Sequence, residues 1–230
     1  MPDITLDLPS GPLDAYLMPR DERSPAIMLL HEAYGLNDDI RNLADRAASL
    51  GYTVVAPDLV EGGRIQCLRQ AFADLQNGGG PIVDRGGEVV DWLKARADVD
   101  GDRIGVVGFC LGGGLAFLMG LNESVKAIAP NYGKAPPDEL LAKSCPVVAS
   151  WGGRDRFLRK DPPRVGAALK AAGVPYDLRV YPAAGHSFAN RPEGHFISRA
   201  LARPYMAIAY NEAAAEDTWA RIEAFFAENV

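Results

Sequence analysis

Cysteine is scarce in these 230 residues. There are three, Cys67, Cys110 and Cys145, an odd number, widely spaced and without a C-x-x-C pair. That excludes a disulfide framework or a zinc ribbon and points to a reducing, cytoplasmic setting. Histidine is as rare, limited to His31, His186 and His195. Apolar runs never approach the ~18 residues of a membrane span. The opening MPDITLDLPSG has no basic region followed by an apolar stretch, so no signal peptide is expected. Positive charge is also in deficit: 24 Lys+Arg against 30 Asp+Glu leave a net charge of −6. That argues against a nucleic-acid partner.

What is present is an ordinary globular balance, 48% hydrophobic and 23% charged, which excludes disorder. A chain of this length buries roughly 70% of its surface as one domain. Ile4–Leu8 and Leu13–Met18 alternate around Ser10-Gly11-Pro12 and predict an N-terminal β-hairpin. Ala26–Leu30 is a continuous apolar run, the pattern of a strand buried on both faces. Asn37 then reads as an N-cap, with Asp38 and Asp39 in the first turn and Gly51 as the stop. The alternation continues. Strands are expected at Thr53–Ala56, Arg103–Gly108, Lys126–Pro130, Pro146–Ser150 and Asp177–Tyr181. Helices are expected at Ile65–Asn77, Ile82–Arg96, from Leu111, at Arg164–Ala172 and at Ala213–Glu228. The expected fold is therefore a mainly parallel sheet covered by helices on both faces. Its site belongs at the carboxyl ends of the strands. The irregular stretch Ala189–Tyr210 reads as a lid or pocket wall.

The sharpest feature is Gly108-Phe-Cys110-Leu-Gly112-Gly113, after a strand and before a helix. A nucleophile on a tight strand-to-helix turn needs strained backbone angles and very small neighbours two residues away on each side. This is the G-x-S-x-G pattern with cysteine for serine. The same turn places the Leu111 N–H and a helix N-terminus beside the sulfur, where they can stabilise a thiolate or an oxyanion. A dinucleotide site is excluded because the G-x-G-x-x-G spacing is missing.

A thiol nucleophile needs a base, and His186, after the last expected strand, is the best placed of the three histidines. An acid that orients the imidazole should fall between them in chain order. Asp155, 45 residues after Cys110 and 31 before His186, follows strand Pro146–Ser150 and two glycines. Asp161 is its nearby competitor, and Asp177 sits at the wrong end of its strand. Glu32 and Ala33 follow strand Ala26–Leu30, the position that supplies the second oxyanion N–H, assigned here to Ala33.

His31-Glu-Ala-Tyr-Gly-Leu-Asn37, Ala56-Pro-Asp-Leu59, the Arg103–Gly113 segment, Tyr132-Gly133, Gly152-Gly-Arg-Asp155 and Gly185-His-Ser-Phe188 occur in that order. With the closing Tyr210-Asn-Glu-Ala-Ala helix, they resemble the dienelactone hydrolases (carboxymethylenebutenolidases) of the α/β-hydrolase superfamily, over nearly the whole chain. The resemblance implies a single-domain α/β-hydrolase fold over residues 1–230 and a Cys-His-Asp triad of Cys110, His186 and Asp155. It also implies that Glu32 holds the thiol inactive at rest, and it requires no metal or cofactor. Family members acting on dienelactone grip its carboxylate with two arginines. One lies four residues after the catalytic histidine, where this chain has Asn190, with Arg191 beside it. The other follows the P-D-L segment; here Val60-Glu-Gly-Gly-Arg64 carries a displaced arginine. Asparagine cannot supply a guanidinium's bidentate grip. Tyr34, Arg64, Asn190 and Arg191 are the expected substrate contacts, with Arg64 or Arg191 on any substrate carboxylate.

The expected activity is hydrolysis of a small lactone or carboxylic ester through an acyl-enzyme on Cys110. A general esterase or thioesterase acting on an uncharged substrate is the alternative. A non-catalytic thiol sensor is the third reading, disfavoured by the ordered triad and the lack of a resolving cysteine nearby. A metal site at His186 and His195 matches no common ligand spacing. The expected partner is a small molecule, with neither nucleic acid nor membrane, for a monomer or small homo-oligomer.

Overall fold

The computed structural model describes residues 3–59, 64–191 and 205–230, with the side chains of Arg64 and Ile65 outside the description. Fifteen elements alternate through these residues. The strands are β1 (Asp3–Leu8), β2 (Gly11–Met18), β3 (Ser24–Leu30), β4 (Thr53–Pro57), β5 (Val99–Phe109), β6 (Val125–Asn131), β7 (Val147–Gly152) and β8 (Tyr176–Tyr181). The helices are α1 (Asp38–Ser49), α2 (Arg64–Asn77), α3 (Pro81–Lys94), α4 (Leu111–Met119), α5 (Asp138–Leu141), α6 (Asp161–Ala172) and α7 (Glu212–Asn229).

The eight strands form one sheet in the order β1-β2-β4-β3-β5-β6-β7-β8. The β1–β2 hairpin and the β2–β4 pair are antiparallel, and every pair from β4 through β3 to β8 is parallel. Central strands are apolar because helices cover both faces. β4 is buried along its whole length, and β3 at all but one residue. The chain leaves β3 toward β4 and returns on its other side as β5, which makes the β3/β5 boundary the switch point of the sheet. There Leu30 pairs with Gly108, so the segments that follow the two strands emerge side by side.

Local signals explain most boundaries. The Asn37 side chain accepts from the Ile40 N–H at 3.0 Å and caps α1. Beyond its last turn, Gly51 takes a φ of 102°, open to glycine. Most boundaries fall within two residues of the expected ones, and two start three or four residues earlier. β5 begins at Val99 rather than Arg103, because Val99 pairs with Ser24 across a register shift that adds an irregular turn of strand. α6 begins at Asp161 rather than Arg164, since Pro162 and Pro163 occupy first-turn positions where a missing N–H costs nothing. The single turn of α5 has too short a period to be read in advance. At the carboxyl end of the chain, the spacing of Trp219, Ile222, Phe225 and Phe226 predicts one apolar face of α7; three of them are buried against the sheet and Phe225 is partly buried beside them. Among the described residues no helix is long and apolar enough to cross a membrane.

Candidate active site

Cys110 sits between β5 and α4 with φ 55° and ψ −110°, a conformation that L-residues seldom adopt. The glycines around it are required by contact. A Cβ on Gly108 would lie 2.0 Å from the Gly112 carbonyl oxygen, and one on Gly112 would lie 2.3 Å from that of Leu30. The turn is anchored on both flanks, since the Cys110 N–H donates to Asn131 O at 3.0 Å and the Gly112 N–H to His31 O at 3.1 Å. Strain held in place by neighbouring strands in this way is a mark of functional turns.

The base and its partner come from the ends of β7 and β8. His186 and Asp155 are both buried, and their Nδ1–Oδ2 separation is 2.7 Å. The other carboxylate oxygen of Asp155 accepts the N–H groups of Phe157 at 2.9 Å and Leu158 at 3.4 Å, which fixes its rotamer. Asp161, the competitor for this role, instead pairs with Lys134 at 2.8 Å. The histidine loop is pressed onto β7: a Cβ on Gly152 would lie 2.2 Å from Gly185 O, and the His186 N–H donates to Met206 O at 2.7 Å.

With Nδ1 engaged, the free edge of the imidazole is Nε2, which is buried and closes no hydrogen bond of good geometry among the described residues. Cys110 lies close enough to act on it electrostatically. Burial alone lowers the His186 pKa, but the negative charge of Cys110, followed by the Asp155 hydrogen bond, overrides it and raises the value to about 10. Tyr132, in the left-handed region at φ 40°, sets its ring edge-to-face against the imidazole at 5.4 Å. Its hydroxyl donates to Asn190 Oδ1, and burial holds its pKa well above 10.0.

The β3 loop completes the group. Glu32 is buried and accepts a hydrogen bond from the Ser187 hydroxyl, joining the first loop of the site to the last. His31 is locked as a neutral tautomer: its Nε2 accepts the Leu59 N–H at 2.9 Å, which leaves Nδ1 as the donor to Glu32 O at 2.6 Å. Burial accordingly lowers its pKa. Ala33, Leu111, Cys110 and His186 line one cavity of about 500 Å³. Neither the Ala33 nor the Leu111 N–H donates to another backbone group among the described residues.

The expected substrate contacts fare differently. Asn190 is fully buried, held between Tyr132 and Asp39, and does not line the cavity. Arg191 turns to the other side of that loop, stacked over the Tyr210 ring at 4.2 Å, in a separate surface cleft. Burial of one and an outward aromatic contact for the other place both away from the described lining of the cavity that holds Cys110. Tyr34 is half-buried and also stands apart from the cavity lining. The side chain of Arg64 and residues 192–204, with His195, Arg199 and Arg203, lie outside the described residues. Sequence reasoning gave no role to Tyr132 or Ser187, although Tyr132-Gly133 at the carboxyl end of β6 was a positional signal for the first.

A strained cysteine at the switch point of a parallel sheet, with a carboxylate-bound histidine on the loop after β8, defines an α/β-hydrolase. The chain belongs to the dienelactone hydrolase family, whose sequence model matches residues 13–230. A relative from Saccharolobus solfataricus, named "Putative carboxymethylenebutenolidase", is 26% identical over 97% of this chain and 96% of its own. Two solved structures share the fold. A dienelactone hydrolase from Anabaena variabilis aligns at a TM-score of 0.73 and 17% identity, covering 99% of this chain and 97% of that one. A dienelactone hydrolase-like promiscuous phosphotriesterase from metagenomic libraries aligns at 0.81 and 20% identity, covering 99% and 98%.

Proposed function

We propose that this protein hydrolyses a small lactone or carboxylic ester through a thioester on Cys110. The observation that carries this reading is the group Asp155–His186–Cys110, its acid and imidazole buried, with a 2.7 Å carboxylate–imidazole bond and a histidine pKa raised by Cys110 and Asp155 together. The Cys110 thiolate attacks the carbonyl carbon, and its electrons move onto the carbonyl oxygen. The N–H groups of Leu111 and Ala33 hold that oxyanion, aided by the N-terminus of α4. As the tetrahedral species collapses, the alkoxide leaves with a proton from His186 Nε2, and the acyl group stays on sulfur.

Acylation then resets the base. Sulfur in a thioester carries no negative charge, so the chief contribution raising the His186 pKa disappears, and burial draws the imidazole toward its neutral form. Neutral Nε2 takes a proton from water, the hydroxide attacks the thioester carbon, and the acid departs as the thiol re-forms. Asp155 keeps Nδ1 protonated throughout, which leaves Nε2 as the reacting nitrogen.

Intact-protein mass spectrometry during turnover of an activated ester, with wild type and Cys110→Ala, tests the mechanism. The wild type should gain one acyl mass on the peptide bearing Cys110, and the variant should neither acylate nor turn over. Turnover that survives Cys110→Ala would overturn the thiol mechanism.

A further inference from the structure

The cavity at Cys110 is walled mostly by carbon. Leu68, Phe72 and Leu75 of α2 line it together with Phe157 and Leu158 after β7 and Met206. Five large hydrophobic side chains among the described residues are exposed, and three of them line this cavity: Phe72 at 40%, Phe157 at 52% and Tyr205 at 69%. Scattered exposed apolar residues are normal, but a cluster rimming one concave site marks a surface that a ligand covers. Among the described residues, the two cationic ones that line it offer no buried grip for an anion. Lys134 holds the buried Asp161 carboxylate at 2.8 and 3.1 Å, which neutralises it, and the exposed Arg156 keeps its charge in water.

Resting on the thiol-hydrolase reading, we propose that the substrate is an uncharged ester or lactone with an extended apolar arm that lies against Phe72, Phe157 and Tyr205. The arm is continuous with the reacting carbonyl, because one cavity holds these rings together with Cys110 and His186. Its volume of about 500 Å³ falls inside the range of ~300–1,000 Å³ that accommodates drug-sized ligands, more than a five-membered lactone alone requires. A carboxylate at the end of that arm would lose its hydration against aromatic carbon with no buried, unpaired cation among the described lining residues to replace it.

Two p-nitrophenyl or alkyl ester series test this, one lengthening the acyl chain from acetate to octanoate and one lengthening the alcohol of an acetate ester. The value of kcat/KM should rise by roughly threefold per added methylene along at least one series. The matching substrate that ends in a carboxylate should be about tenfold poorer or worse. Phe72→Ala and Phe157→Ala, at half-exposed positions, should each reduce the ratio of long-chain to short-chain rates by about tenfold. Flat profiles on both series, or preference for the carboxylate-ended substrate, with Cys110→Ala inactive, would overturn the apolar class while leaving the thiol mechanism standing. If wild type turns over none of these esters, the mechanism fails. The binding of neutral 2-alkanones to Cys110→Ala by calorimetry then decides the class: affinity that climbs with chain length upholds it, and constant or absent binding overturns it.

Discussion

His186 carries two influences of opposite sign, burial against its charge and Cys110 in favour of it. Removing the sulfur separates them. In Cys110→Ala the imidazole keeps its burial and its bond to Asp155 but loses the strongest contribution that raises it, so its pKa should fall well below about 10. An NMR titration of the ring protons reads this directly, and an unchanged value would show that Cys110 contributes nothing. Asp155→Asn should reduce kcat by ~10³–10⁴-fold with little change in fold, because an amide no longer selects the productive tautomer. Steady-state kinetics with a circular dichroism control checks that outcome. Cys110, His186 and Asp155 were legible in advance because each follows a strand end in a fixed chain order. The Tyr132 ring and the Ser187–Glu32 bond were not, since both depend on contacts between segments 54 and 155 residues apart, for which no local pattern exists.

At the level of elements, the turn between β5 and α4 is the least forgiving part of the molecule. Gly112→Ala would push a methyl group into the backbone of β3 at 2.3 Å, and neither strand can retreat without breaking the Leu30–Gly108 pairing. We expect this variant to lose several kcal/mol of stability, since a large clash in a packed core is one of the few ways a single change does so. Urea unfolding measures it. Phe226→Ala, which empties a fully buried site between α7 and Gly105, should cost about 3–5 kcal/mol by the same measurement. Most elements were evident from composition: continuous apolar runs for the central strands, an Asn cap for α1 and an apolar stripe for α7. The early start of β5 was hidden, because the polar Asp100-Gly-Asp102 reads as a turn, and only pairing with β3 extends the strand through it.

For the whole molecule, two buried histidines set opposing limits on pH. His31 has a lowered pKa when folded, so the unfolded chain binds more protons, and its contribution is present above 6.5 and lost as pH falls. His186 has a raised pKa, so its contribution is present below 6.5 and lost as pH rises toward about 10. Together they favour maximum stability near 6.5, and a profile of Tm against pH should decline on both sides. Cys110→Ala should flatten the alkaline decline and leave the acid one. A symmetrical loss of both, or of neither, would mean that other groups govern the profile.

The Tyr132–Asn190–Asp39 chain also bears on how this family can diversify. The resemblance drawn from the sequence puts a carboxylate-binding arginine at residue 190, yet here Asn190 is a structural rivet joining the histidine loop to the first turn of α1. An arginine placed there would find no solvent, a phenol already committed and a fully occupied space. A charged grip at residue 190 would therefore have to replace the Tyr132 and Asp39 hydrogen bonds together, which ties that position to three segments of the fold at once.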